Sequence, residues 1–180
     1  MSALHELKSL TIAELLITHS AILSELEQRG VLRSKNNPTG DYGEWLVSNA
    51  LGLKLAGNSA KGYDATDELG LKYQIKCRRV TPSNPSTQLS VIRNLNSGDF
   101  DFLIAVIFDE RWEVMRAAKM PHSSIQGIAT YREHVNGYVM HLRPSIFAEA
   151  NVENIADKLG IANRSLISNG STGSIGQPRD

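Results

Sequence analysis

Residues 100–108 read "FDFLIAVIF", and from Phe102 onward both alternating sets of positions in this run are apolar. Successive side chains of a β-strand point to opposite faces of the sheet, so a strand that is apolar on both faces must be covered on both sides. The run is therefore predicted to be the central strand of a sheet. After a turn at "DER", the segment "WEVMRAA" is predicted to form its hairpin partner.

The segments on either side of this strand predict further strands and several helices. Upstream, "GYDAT" and "LKYQIKCRRV" have the composition of two strands, joined by the turn "DELG". Two helices precede them: "TIAELLITHSAILSELEQRG", in which Thr11 and Glu14 have capping-box spacing, and "DYGEWLVSNALG". Downstream, "SSIQGIATYREHV" is weakly helical, "GYVMHL" is strand-like and "NVENIADKLG" predicts a closing helix. The fold class predicted is mixed α/β (α+β), with one mixed sheet flanked by helices.

Three parts of the chain are distinguished. Residues 1–38 hold the N-terminal helix and a loop, and the apolar stripe of that helix predicts packing against the domain or a second subunit. Residues 39–160 form the core with the C-terminal helix. Residues 165–180 are predicted to be a flexible tail, because their Gly, Ser and Asn content cannot bury enough apolar surface to offset the entropy of ordering.

Composition excludes several classes of protein. Lys and Arg together number 19, as do Asp and Glu, so the chain is not a uniformly basic nucleic-acid binder, although a local basic patch is compatible with this balance. No apolar run approaches the ~20 residues of a membrane helix, and "MSALHELKSL" lacks the pattern of a signal peptide. Cys77 is the single cysteine, which excludes an internal disulfide. A cytoplasmic protein with no membrane partner is expected.

A polar row alternates with an apolar row along "LKYQIKCR". Lys72, Gln74, Lys76 and Arg78 share one face of the predicted strand. On many strands such a row is only the solvated face of a sheet. Here it combines cations with an amide, while Asp64 precedes it on the neighbouring strand and Glu44 lies in the upstream helix. Two carboxylates and a lysine suit phosphodiester hydrolysis, since carboxylates hold Mg²⁺ and a lysine stabilises charge on the phosphate.

This set resembles the PD-(D/E)XK nuclease superfamily, whose restriction-endonuclease-like core has the element order αβββαβ. Glu44, "GYD" with Asp64, and "QIK" with Gln74 and Lys76 carry the resemblance over residues 40–120, and the Q-x-K form is similar to the variant of Mrr-like restriction enzymes. The resemblance implies a Mg²⁺-dependent DNA endonuclease with a restriction or defence role, in which Mn²⁺ can substitute. Gln74 departs from the superfamily pattern, because it replaces a metal-binding carboxylate with an uncharged amide.

The resemblance also implies a role for each site residue. Asp64 would be the central metal ligand and Glu44 a second acid ligand. Gln74 and the carbonyl of Ile75 would complete the coordination, and Lys76 would act at the water and the phosphate. Cutting both strands of a duplex requires two sites, so a homodimer is expected.

Several polar residues are candidates for contacts with DNA. A basic rim around the site is predicted from Lys61, Lys72, Arg78 and Arg79, and a polar connection further on offers Gln88, Arg93 and Asn94. The loop before the second helix holds Arg33, Lys35, Asn36 and Asn37. Each group is equally compatible with ordinary solvated surface. Asp99, Asp101 and Asp109 are interpreted as strand-end residues, and Cys77 as a buried, unreactive side chain.

Two other functions are compatible with the same residues. One is a non-catalytic nucleic-acid-binding module of the same fold, which would not need Mg²⁺. The other is a structural or interaction protein that uses its N-terminal helix for docking and shows no salt-dependent DNA binding.

Overall fold

A six-stranded mixed sheet forms the centre of the protein, beside a second small sheet of two strands. The computed structural model describes residues 6–57 and 61–168. The helices are α1 (Ile12–Gln28), α2 (Thr39–Leu51), α3 (His122–Ile128) and α4 (Ala156–Ser168). The strands are β1 (Lys54–Leu55), β2 (Ala65–Thr66), β3 (Lys72–Arg79), β4 (Phe102–Phe108), β5 (Val114–Pro121), β6 (Thr130–Arg132), β7 (Gly137–Val139) and β8 (Glu153–Asn154). The strand order of the large sheet is β1-β2-β3-β4-β5-β8, and β6 pairs with β7 in the small one. The predicted mixed α/β class is confirmed.

Strand β4 is the buried central strand that its sequence predicts. It pairs in parallel with β3 on one side and antiparallel with β5 on the other. Ile104 and Val106 face a core layer formed with α2 and α4. Leu103 and Ala105 face the opposite layer, which is formed largely by the segment between β3 and β4 and by residues after β5. Both faces are covered, which explains why this run tolerates no alternation of polar and apolar residues.

The connection between β3 and β4 contains a 3₁₀ turn, Leu95–Ser97, and residues 80–101 form no α-helix, in contrast to the αβββαβ order expected from the resemblance. Its backbone bonds to residues after α3 instead: the Leu89 N–H donates to the Met140 carbonyl at 3.0 Å and the Ile92 N–H to the Tyr138 carbonyl at 2.9 Å. Because these bridges satisfy the backbone and bury both side chains, the segment covers the sheet without helical hydrogen bonds.

Two predictions downstream of β5 need correction. The weak helix predicted to reach residue 135 ends at Ile128, and β6 follows it because "TYR" pairs antiparallel with "GYV" across a turn at Asn136. The flexible tail predicted from residue 165 is wrong for its first four residues, which are helical. Helix α4 continues to Ser168, and Leu166 packs against the core layer of α2. Residues 169–180 lie outside the described residues.

Helix α1 begins as its sequence predicts. The Thr11 side chain and the Glu14 side chain form the reciprocal bonds of a capping box, and the chain turns at Gly30 with a φ of 70°. Leu23 is the buried residue of this helix, and Leu32 is buried just after it. The described helices include none that is long and apolar enough to cross a membrane.

Candidate active site at the edge of the sheet

Asp64 is fixed against β3 by two hydrogen bonds. It lies immediately before β2, the antiparallel neighbour of β3. Its N–H donates to the Tyr73 carbonyl at 2.8 Å, and its carboxylate Oδ2 accepts from the Ile75 N–H at 2.7 Å. Because β2 has only two residues, the carboxylate replaces a strand partner at Ile75. Asp64 is thereby held at the edge of β3 where Gln74 and Lys76 lie.

The predicted alternation along β3 is confirmed, with one difference. Tyr73 and Ile75 pack into the core layer of α2, while Gln74 lies in register with Leu103, whose side chain belongs to the opposite layer. Gln74 is not part of a solvated face, since it is only 7% exposed. Strand β3 thus carries a buried amide where alternation alone predicts an exposed one.

The side-chain oxygen of Gln74 has no hydrogen-bond partner. Its Nε2 donates to the Gly62 carbonyl at 3.2 Å, which fixes the orientation of the amide, but Oε1 is buried and unpartnered. An unsatisfied buried acceptor costs about 1–3 kcal/mol. Such a group calls for an explanation, and a role in binding an ion is one of the ordinary ones. Amide oxygens are also hard ligands of the kind that divalent cations bind.

The turn that receives the Gln74 amide is packed closely against Asp99. Gly62 has a φ of 85°, and a Cβ at this position would come within 2.3 Å of the Asp99 Cβ. Ser97 donates its hydroxyl to Asp99 Oδ2 at 2.7 Å. Asp99 therefore lies beside the segment that orients Gln74. The sequence indicates only that Asp99 precedes a strand, and it does not reveal the contact with Gly62.

Helix α2 packs closely against β3 at Gly43. A Cβ at Gly43 would lie 2.0 Å from the Cys77 Sγ, so only glycine allows this contact. Burial, together with the charges of Glu44 and Asp64, raises the pKa of the Cys77 thiol, as expected for an unreactive cysteine. The contact places the next residue, Glu44, at the level of Cys77 and Lys76 on β3.

Glu44 is largely buried, with 15% of its side chain exposed. Burial, and then the charge of Asp64, raise the pKa of Glu44 to about 7, while Arg33 and Lys76 act in the opposite direction. Asp64 and Lys76 thus both act electrostatically on the same helix carboxyl. One local set of charges is therefore formed by Arg33, Glu44, Asp64 and Lys76. They lie in the loop before α2, in α2, directly before β2 and in β3, respectively.

Arg33 is the partner of Glu44, which the sequence does not reveal. The guanidinium forms an ion pair with the Glu44 carboxylate and donates to the Ala56 carbonyl at 2.9 Å. The backbone around it is held by Asp41, whose Oδ2 accepts from the N–H groups of Arg33 at 3.0 Å and Ser34 at 2.8 Å. The Arg33 side chain, a candidate for DNA contacts in the sequence analysis, therefore points into the site.

The predicted basic rim is divided between two faces. Arg78 donates at 3.0 Å to the side chain of Asn84, which lies in the crossover segment, residues 80–101 between β3 and β4. Arg79 does not belong to the same face, because alternation turns it to the other side, where its guanidinium lies 4.9 Å from the centre of the Trp112 ring and donates to the Glu110 carbonyl. Arg79 therefore does not lie in the rim beside Lys76, and its contact with DNA stays a prediction.

The remaining candidate residues for DNA contacts are exposed. Lys61 precedes β2, and Lys72 is the first residue of β3, where its ammonium lies 5.2 Å from the centre of the Tyr63 ring. Three further residues are exposed on the crossover segment: Gln88, Arg93 and Asn94. Their contact with nucleic acid stays a prediction.

Within residues 6–57 and 61–168, no group of three or more His, Cys, Asp and Glu side chains is arranged to hold a metal ion. The candidate set contains two carboxylates, Glu44 and Asp64. Any cation bound there would need further oxygen ligands from an amide and the backbone, and the unpartnered Gln74 Oε1 is such an oxygen.

The sequence matches no protein-family model and no curated protein.

Proposed function

We propose that the protein is a Mg²⁺-dependent DNA endonuclease that hydrolyses phosphodiester bonds, with a restriction or defence role, in the manner of the PD-(D/E)XK superfamily that its residues resemble. The observation that carries this proposal is the buried, unpartnered Oε1 of Gln74 on the strand to which the Asp64 carboxylate is bonded. A nuclease of this type needs a cation at that place, and Mn²⁺ is expected to substitute for Mg²⁺.

Four oxygen-bearing groups would hold the cation. Asp64 and Glu44 supply the charged ligands, and Gln74 supplies Oε1. The carbonyl of Ile75 is the fourth, because the N–H and C=O groups of one strand residue point to the same side and the Ile75 N–H points to Asp64. When bound, Mg²⁺ lowers the pKa of a water molecule and stabilises charge on the phosphate.

The protein's own groups would position the reaction and balance its charge. The hydrogen bond from Ile75 keeps the Asp64 carboxylate in place before substrate arrives. Lys76 adds a positive charge where negative charge develops on the phosphate oxygens. Glu44, with a pKa of about 7, holds a proton for part of the time at neutral pH and must release it to act as a charged ligand. Cation binding should therefore be coupled to proton release from Glu44.

Cleavage of supercoiled plasmid in Mg²⁺, Mn²⁺ or EDTA tests this function. Lys76→Met should slow cleavage by about 100-fold or more, the usual effect of losing one group that stabilises the transition state, while calorimetry finds cation binding intact. Asp64→Asn keeps an acceptor for the Ile75 N–H but should abolish cation binding. Lys119→Met is the matched control, since this partly buried lysine of β5 in the same sheet lies over Phe102 and should be dispensable. Cleavage that survives both site substitutions would place the chemistry elsewhere.

A non-catalytic nucleic-acid-binding module is the second candidate, and one observation favours it. Gln74 brings no charge, and the Arg33 guanidinium already pairs with Glu44, so the site carries less free negative charge than two carboxylates would provide. DNA binding that persists in EDTA, together with no cleavage by the wild-type protein in either metal, would support this candidate over the nuclease.

A further inference from the structure

Helix α1 exposes most of its apolar side chains. Five of the nine large hydrophobic residues that are exposed in the described part of the chain belong to this one helix. Their exposed fractions are large: Ile12 79%, Leu15 40%, Leu16 64%, Ile17 69% and Ile22 53%. Scattered exposed hydrophobic residues are normal on a monomer, but a contiguous group marks an interaction surface.

Four of these residues form one stripe along the helix. Leu15 and Leu16 lie three and four residues after Ile12, and Ile22 lies seven residues after Leu15 on the same side, with His19 between them, whereas Ile17 lies on another side of the helix. The same stripe continues to Leu23, which is only 6% exposed. The stripe is therefore covered at Leu23 and left uncovered towards the start of the helix.

The uncovered part of the helix has the composition of an interface core. Between residues 12 and 22, Glu14 is the single Asp, Glu, Lys or Arg, and its carboxylate is engaged by Thr11 in the capping box. Interface cores are depleted in charged residues in this way, whereas a solvated helix face carries many.

The rest of this chain offers little to cover the stripe. Residues 169–180 contain one large apolar side chain, Ile175, and residues 58–60 are Asn, Ser and Ala. Residues 1–5 provide Met1 and Leu4 as large apolar side chains. An identical stripe on a second copy, by contrast, matches both the length and the apolar character of the first.

We propose that α1 pairs antiparallel with α1 of a second copy across a twofold axis. In this arrangement Ile12 of each copy meets Ile22 of the other, and Leu15 and Leu16 lie nearest the axis. The stripe exposes roughly 400 Å² per copy, comparable to the largest apolar patch on a typical monomer. That is about half of the ~800 Å² per partner in a standard interface, and the side chains flanking the stripe would supply the remainder. The inference does not depend on the nuclease proposal.

Sedimentation velocity of the full chain across a range of concentrations tests the pairing. The wild type should sediment as a dimer, and Leu16→Glu should raise the dissociation constant at least ~10-fold, because it places like charges beside the axis. Ile17→Glu is the matched control: it adds the same charge to the same helix one residue away, outside the stripe, and should leave the dimer intact. Circular dichroism should show unchanged helix content in both variants.

Three results would overturn the proposal. The wild type could remain a monomer at every concentration, or it could form trimers or larger assemblies that a single twofold pair cannot explain. Alternatively, Ile17→Glu could dissociate the dimer as strongly as Leu16→Glu, which would show that the stripe is not the contact surface.

Discussion

Replacing Glu44 with Gln should change how the stability of the protein depends on pH. Burial and the neighbouring Asp64 raise the pKa of Glu44 from 4.5 to about 7. Between these values the folded protein keeps a proton that the unfolded chain has released, so the free energy of unfolding falls as pH rises. The pKa difference of 2.5 corresponds to about 3 kcal/mol of unfolding free energy, at 1.36 kcal/mol per pKa unit. Glu44→Gln removes this pH-dependent loss of stability, since an amide does not titrate.

Urea unfolding at intervals from pH 4 to pH 8 measures the effect. The difference in unfolding free energy between Glu44→Gln and the wild type should rise by about 3 kcal/mol from the acidic to the neutral end. The interaction of Arg33 with the ionised carboxylate is already contained in the pKa of Glu44, because Arg33 lowers that pKa. Glu68→Gln, at an exposed turn, controls for the loss of a carboxyl outside the site.

A flat difference curve for Glu44→Gln would refute the reasoning. It would mean that Glu44 is as well solvated in the folded protein as in the unfolded chain, and that neither its burial nor the charge of Asp64 acts on it. A curve that falls towards neutral pH would mean that Arg33 dominates and holds the carboxylate ionised.

Three further predictions concern the same site. Gly43→Ala should lower the free energy of unfolding by about 1–3 kcal/mol, because its Cβ would meet the Cys77 Sγ at 2.0 Å, and adding Cys77→Ala should restore part of the loss in thermal unfolding. Gln74→Glu should make the metal-free protein less stable but increase the rise in melting temperature caused by Mg²⁺, since it adds a charged ligand where Oε1 lies unpartnered. Arg33→Met removes a cation that lowers the pKa of Glu44, so calorimetry should find that Mg²⁺ binding requires a higher pH than in the wild type.

The sequence predicted best those features that depend on local physics. The run from Phe102 to Phe108 is apolar on both faces, and it became the central strand because only that position covers both faces. The capping box of α1 depends on two residues three apart, so it could be recognised without knowledge of the fold. The alternation along β3 likewise follows from strand geometry alone.

Features that depend on distant contacts could not be predicted. The burial of Gln74 depends on a turn at Gly62, and the pairing of Arg33 with Glu44 depends on how the preceding loop folds back. The crossover segment has helix-like spacing of Leu89 and Ile92, yet its backbone bonds to residues far along the chain. Tertiary contacts determined each outcome, and periodicity carries no information about them.

Crystals soaked in Mn²⁺ and measured at the Mn absorption edge would test the proposed cation site most directly. The proposal predicts an anomalous peak bound by the Asp64 carboxylate and by Oε1 of Gln74, and loss of that peak in Asp64→Asn crystals treated in the same way. The absence of a peak in wild-type crystals at saturating Mn²⁺, or a peak only at other residues, would contradict it.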